Sequence, residues 1–136
     1  MKEYEFIEHT ADVGVKAYGS SLDEAFAHAA KAMFDVMTDS SEIDAIGEYE
    51  ISLQADDVEQ LLVDWLSELL FLHDVHNVVF GQFTVSIVGS KLNAKVYGDT
   101  FDVAKHNIGA EIKAVTYHML EVHDSEPFFV QVLFDL

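Results

Sequence analysis

The chain has 136 residues, the length of one ordinary domain and enough to bury a core. Half of them are hydrophobic, 24% are charged and one is Pro, a balance that excludes wholesale disorder. Asp and Glu number 25 against seven Lys, with no Arg and no Cys, for a net charge of −18; this excludes a phosphate-gripping basic face, disulfides and thiolate chemistry.

In chain order, Tyr4 to His9 reads as a first strand and Val13 to Tyr18, which alternates, as a second. Ser21 with Glu24 has capping-box spacing. Behind it Leu22, Ala25, Phe26, Ala29, Ala30, Met33, Phe34 and Met37 recur at helical intervals, which predicts a helix over 22–37. Residues 38–47 are a polar loop. Tyr49, Ile51 and Leu53 alternate with polar residues as in a half-buried strand. Asp56 with Glu59 again has capping-box spacing, and the apolar face from Leu61 to Leu72 predicts a helix over roughly 57–74. Val78 to Val88 and Leu92 to Tyr97 read as strands joined through Gly89-Ser90-Lys91, a hairpin signal. Gly98 to Gly109 reads as loop or a single helical turn. Glu111 to Val122 has β-branched and aromatic content that favours strand and a length that permits helix; with a tight turn (123–127) and the clear strand Phe128 to Phe134 following, it reads as strand.

Strands outnumber helices and do not alternate strictly with them. The expected fold is therefore α+β: a single domain over 1–136, two main helices packed on a mostly antiparallel or mixed sheet of about six to seven strands. Acid is concentrated early, with 17 Asp/Glu and three Lys in residues 1–68 against eight and four in 69–136. Apolar patterning runs through the midpoint, so this asymmetry marks no boundary.

Partners follow from charge. Scattered Lys without Arg does not supply the counterion-displacing patch that RNA, DNA or anionic membrane demands. Metal cations and proteins with basic surfaces are the expected partners. The longest apolar runs fall far short of the roughly 20 residues of a membrane span. Met1-Lys2-Glu3-Tyr4 is no signal core, so the expected location is the cytoplasm.

Few residues offer chemistry. Asp12, in the loop His9-Thr10-Ala11-Asp12 before Gly14, is either a hard oxygen ligand for calcium or magnesium or a turn residue bonding its own backbone. His9 beside it is a structural histidine or a site residue. At the C-terminus, Asp135 lies next to the α-carboxylate of Leu136. Two adjacent anions repel unless a cation sits between them or both stand in water. Lys113 is a surface lysine or a partner for carboxylates or phosphate. His73 and His76 have an i, i+3 spacing that suits a metal, at a helix end where the dipole alone favours imidazole. The acidic string Asp35, Asp39, Glu42, Asp44 lacks the Gly and closing Glu of an EF-hand and reads as solvated loop. No phosphate loop, nucleophile elbow or zincin motif is present.

Four segments in register resemble the archease family: His9-Thr10-Ala11-Asp12-Val13-Gly14, Leu61-Leu62-Val63-Asp64-Trp65-Leu66-Ser67-Glu68-Leu69-Leu70, Glu111-Ile112-Lys113-Ala114-Val115-Thr116-Tyr117-His118 and Val130-Gln131-Val132-Leu133-Phe134-Asp135-Leu136. The resemblance implies a small cytoplasmic cofactor protein for the tRNA-splicing RNA ligase that joins 2′,3′-cyclic phosphate and 5′-hydroxyl ends. It implies promotion of ligase guanylylation and of multiple turnover, with broadened nucleotide use. It implies a non-catalytic protein with a metal site at Asp12, Asp135 and Leu136, holding calcium or, alternatively, magnesium or another divalent ion. Lys113 is implied as a functional position, with His9 beside the site. Family members often carry Trp in the last strand, where this chain has Phe128-Phe129, and commonly end on Ile rather than Leu136. Both changes keep bulk, and a main-chain ligand is indifferent to them. The alternatives are a general protein chaperone or modulator and a stand-alone metal-dependent phosphoester hydrolase.

Overall fold

The computed structural model describes residues 2–8 and 11–136. Seven strands form two antiparallel sheets. β1 (Tyr4–Glu8), β2 (Asp12–Gly19), β7 (Phe128–Asp135) and β6 (Ala114–His123) lie in the order β1-β2-β7-β6. β3 (Gly47–Gln54), β5 (Lys91–Thr100) and β4 (Val78–Val88) lie in the order β3-β5-β4. The α+β expectation holds, with the strands divided between two sheets.

Helix α1 (Leu22–Met37) starts at Ser21, whose hydroxyl accepts from the Glu24 N–H at 3.2 Å. The Glu24 carboxylate returns to the N–H and hydroxyl of Ser20, one residue before the expected cap. Ala25, Ala29, Ala30 and Ala32 are fully buried and small. A helix so narrow can be approached from two sides, and α1 packs on β2 and β7 of one sheet and on β4 of the other. Helix α2 (Val58–His76) starts at Asp57, not Asp56: the Asp57 carboxylate accepts from the Gln60 N–H at 2.8 Å. Asp57 and Gln60 repeat the spacing of the expected pair one position later, and the Gln60 amide turns instead to Asp64. α2 contacts β6 of the first sheet and β3 and β4 of the second. The Trp65 N–H donates to the Phe26 carbonyl at 3.0 Å, fixing one helix against the other.

Both helices thus join the two sheets through one buried cluster, whose largest members include Trp65, Phe26, Phe34, Phe80 and Phe134. Truncating such a ring to Ala costs about 3–5 kcal/mol. Two glycines are forced by geometry. Gly89 turns the β4–β5 hairpin at φ 63°. A Cβ at Gly98 would sit 1.9 Å from the Val79 carbonyl oxygen, so the backbones of β4 and β5 approach there only without a side chain.

The span read as loop or one turn resolves into the end of β5, a short helix α3 (Val103–His106) and an irregular stretch to 113. The ambiguous segment is a strand, beginning at Ala114. β6 is an edge strand with a large bulge: Thr116 faces Leu133, but the next pair is Glu121 with Gln131. Met119 sits in this bulge at φ 60°, its carbonyl accepting from the Gln131 side chain at 2.9 Å.

Candidate metal centre at the end of the four-stranded sheet

β2, β7 and β6 come together at one end of their sheet, and register decides what meets there. Asp12, first residue of β2, is the Cα partner of Asp135, last residue of β7. Asp135 is also the partner of Ala114, first residue of β6. The Lys113 N–H donates to the Asp135 main-chain carbonyl at 2.7 Å. Directly opposed residues in an antiparallel pair share a face, with Cβ atoms about 4.5–5.5 Å apart, and like charges so placed destabilise the pair. Asp12 and Asp135 are both half-buried, whereas Lys113 is exposed. The Leu136 side chain packs on the hydrophobic core, which fixes its main-chain oxygens beside Asp135.

Asp12, Lys113, Asp135 and Leu136 therefore lie together, although more than 100 residues separate the first from the others. His9 lies outside the described residues. In sequence, Lys113 is legible only as a side chain. Its main-chain bond to Asp135 ties β6 to the site, and no sequence signal announces it.

The donor chemistry suits a hard divalent cation. Two carboxylates and main-chain oxygen are the oxygen set that calcium or magnesium takes, the remaining positions being filled by water or a partner. Among the described residues no three His, Cys, Asp or Glu side chains converge on a metal position. A cation here consequently needs main-chain oxygen in addition to Asp12 and Asp135.

The other candidates dissolve into structural roles. The His73 Nδ1 lies 2.8 Å from the Val78 carbonyl and its ring packs edge-on against Phe34 and Phe101, while His76 is exposed. The acidic string is not merely solvated. Asp35 accepts from the hydroxyls of Tyr4 and Ser40, Asp39 caps a 3-10 turn at Ser40–Glu42, and Asp44 pairs with Lys105. The hydrogen bond and charge of Lys105 hold the Asp44 carboxyl below its usual range. Lysines are spent likewise: Lys31 pairs with Glu3 at 2.8 Å, Lys2 with Glu5 at 2.9 Å, and Lys16 lies 4.4 Å over the Phe129 ring.

The family model described as "Archease protein family (MTH1598/TM1083)" matches residues 4–136. The chain belongs to the archease family. Protein archease of Pyrococcus furiosus is 42% identical over 126 residues, covering 90% of this chain and 89% of that one. Protein archease of Sulfolobus acidocaldarius is 42% identical over 132 residues, covering 96% and 95%. The solution structure of Methanobacterium thermoautotrophicum protein 1598 superposes with a TM-score of 0.88 at 41% identity, with all of both chains covered. Where the resemblance leads one to expect Trp this chain has Phe128-Phe129, and Phe129 stacks on His123 at 4.9 Å and faces Tyr18 of β2. Phe129 is six residues from Asp135, about 20 Å along an extended strand, so that change does not reach the candidate centre. No helix is long and apolar enough to cross a membrane among the described residues.

Proposed function

We propose that this chain is a non-catalytic, metal-binding activator of the tRNA-splicing RNA ligase, acting in the cytoplasm. The observation that carries the reading is the archease match over residues 4–136, together with the meeting of Asp12, Asp135 and Lys113 at one sheet end. Asp12, Asp135 and the main-chain oxygens of Leu136 would hold calcium, or magnesium in its place. A cation held there would offset the charge of the two opposed carboxylates. Lys113 adds an exposed cation beside the acidic site, and its role would be contact with the ligase–nucleotide centre. The net charge of −18 favours docking on a basic, RNA-binding protein and disfavours holding tRNA directly. Promotion of histidine guanylylation, repeated turnover and relaxed nucleotide choice are the activities that follow.

The test is ligation of cyclic-phosphate and 5′-hydroxyl ends by the cognate ligase, under single and multiple turnover, with and without this protein. Multiple turnover and faster guanylylation are expected with it. Asp12→Ala should lose both metal binding and activation while folding normally, and Lys113→Ala should lose activation while keeping the metal. No gain in turnover sinks the proposal. Phosphoester hydrolysis by the purified protein alone would replace it with the hydrolase reading.

A further inference from the structure

A second binding feature lies on the other sheet. Among the described residues β4 pairs with β5 on one side and with no strand on the other. The direction of its outer edge is set by one bond: the Ile87 N–H donates to the Asp23 carboxylate of α1 at 2.9 Å. Backbone groups alternate along a strand. Phe83 and Val85 therefore point their N–H and C=O groups outward as Ile87 does. Among the described residues no backbone or side-chain group of the protein meets those four groups. The open window has two ends. Asp23 occupies the Ile87 N–H on one side, and the bulge between Phe80 and Gln82 interrupts the strand on the other.

This window does not face bulk water alone. It forms one wall of a groove of about 580 Å³ whose other wall is the outer flank of α1, including Glu24, Ala27 and His28. A strand laid along β4 would send alternate side chains toward α1, where Ala27 leaves room. The charge there is acidic. Glu3, Asp23 and Glu24 line the groove against Lys31, and both Lys31 and His28 are committed to Glu3 at 2.8 and 3.2 Å.

We propose that the β4 edge is a docking site for an extended basic segment of a partner protein, added as a short fourth strand beside Phe83–Val85. Main-chain bonds to Phe83 and Val85 give the affinity, and alternate Lys or Arg side chains reaching over Ala27 toward Asp23 and Glu24 give the sign preference. The groove, lined by Ser21 as well, opens near the end of β2 opposite Asp12. The site is therefore separate from the candidate metal centre and does not rest on the ligase reading.

The probe is a short synthetic peptide alternating Lys and Thr, titrated into the isotopically labelled full chain, with an alternating Glu–Thr peptide as counterpart. The Lys–Thr peptide should shift the amide signals of residues 82–86 and slow hydrogen exchange at Phe83 and Val85. The Glu–Thr peptide should bind at least about tenfold more weakly. Val85→Pro removes an outward N–H at an edge where Pro is tolerated, and Ala27→Arg fills the groove with a like charge on a good helix former. Each should weaken binding by about tenfold or more, with Asp12→Asn binding as the wild type does. Should Val85→Pro melt the fold, Ala27→Arg alone decides. Equal binding of both peptides, shifts centred elsewhere, or unchanged binding by Ala27→Arg would overturn the proposal. So would protection of Phe83 and Val85 by self-association of this chain without peptide.

Discussion

At the corner where β1 meets α1, side-chain donors set the surroundings of Glu3 and Glu5, and at the far end of the same sheet strand register sets Asp12 opposite Asp135. The hydrogen bond from Lys31 holds the Glu3 carboxyl below its usual range. The Tyr18 hydroxyl, 2.6 Å from Glu5, and then Lys2 do the same for Glu5. In return the Tyr18 hydroxyl is pushed up to about 12, first by its bond to Glu5. Those pairings depend on side chains that choose their neighbours and can be released one at a time. The Asp12–Asp135 pairing depends on strand register, which a rotamer change does not undo. Like charges directly opposed destabilise an antiparallel pair, and a cation bound between them would offset that cost.

The two ends of the sheet should differ most under calcium. At a free concentration a hundredfold above the dissociation constant, binding should stabilise the native chain by about 2.7 kcal/mol. Asp12→Asn should abolish the gain, as read by thermal unfolding with and without calcium. A native protein indifferent to calcium would remove the metal centre. A smaller effect is expected from appending Gly-Ser after Leu136, which converts a terminal carboxylate into a neutral amide carbonyl. Calcium affinity should fall by about tenfold, with Leu136→Ile silent; calorimetric titration of the three proteins decides whether Leu136 contributes its carboxylate.

Without metal the two regions should respond with opposite signs. Asp12→Asn should raise apo stability by relieving repulsion. Lys31→Ala should lower it by about 0.2–1 kcal/mol, since the Glu3 pair is partly exposed and screened. Denaturant midpoints in chelator measure both, and a loss of stability in apo Asp12→Asn would make Asp12 a turn residue. The smallest effect is in pH dependence. A Tyr18 raised from 10.0 to about 12 contributes stability that is complete below pH 10 and lost as pH rises through 12. Glu5, lowered from 4.5, contributes stability present above pH 4.5 and lost as pH falls below it. Tyr18→Phe should flatten the stability profile at both extremes. It should do so only in part on the alkaline side, because Lys105, raised by its bonds to Asp44 and Asp99, also deprotonates there.

Helical period and turn chemistry made much of this fold legible. The repeat from Leu22 to Met37 marks α1 to the residue, and Gly89-Ser90 marks the hairpin. The Asp56 cap misses by one because Asp57 with Gln60 offers the same spacing. Division into two sheets was not legible, since pairing between distant strands leaves no local trace. Nor was the Met119 bulge, where a non-glycine residue takes a positive φ without a glycine to announce it. At the candidate site the residue types at Asp12 and Asp135 were visible, but their register was not. His106 shows the converse: one of several scattered histidines in sequence, it is fully buried in α3, stacked on Phe101, its Nδ1 accepting from the Asp102 N–H.

The place of β7 has a consequence for how the molecule is made. β7 is the last strand along the chain, yet it lies inside its sheet, between β2 and β6. On a ribosome, the three strands β3, β4 and β5 emerge together and can pair while synthesis continues. The β1–β2 hairpin, made first, must wait with one side open until residues 128–135 appear, and β6 has no partner at all before then. Long-range pairing of this kind is slow and leaves strand edges exposed. Asp12 and Asp135 meet only in that insertion, so a chain that presents them as a pair has already joined the β1–β2 hairpin to β7.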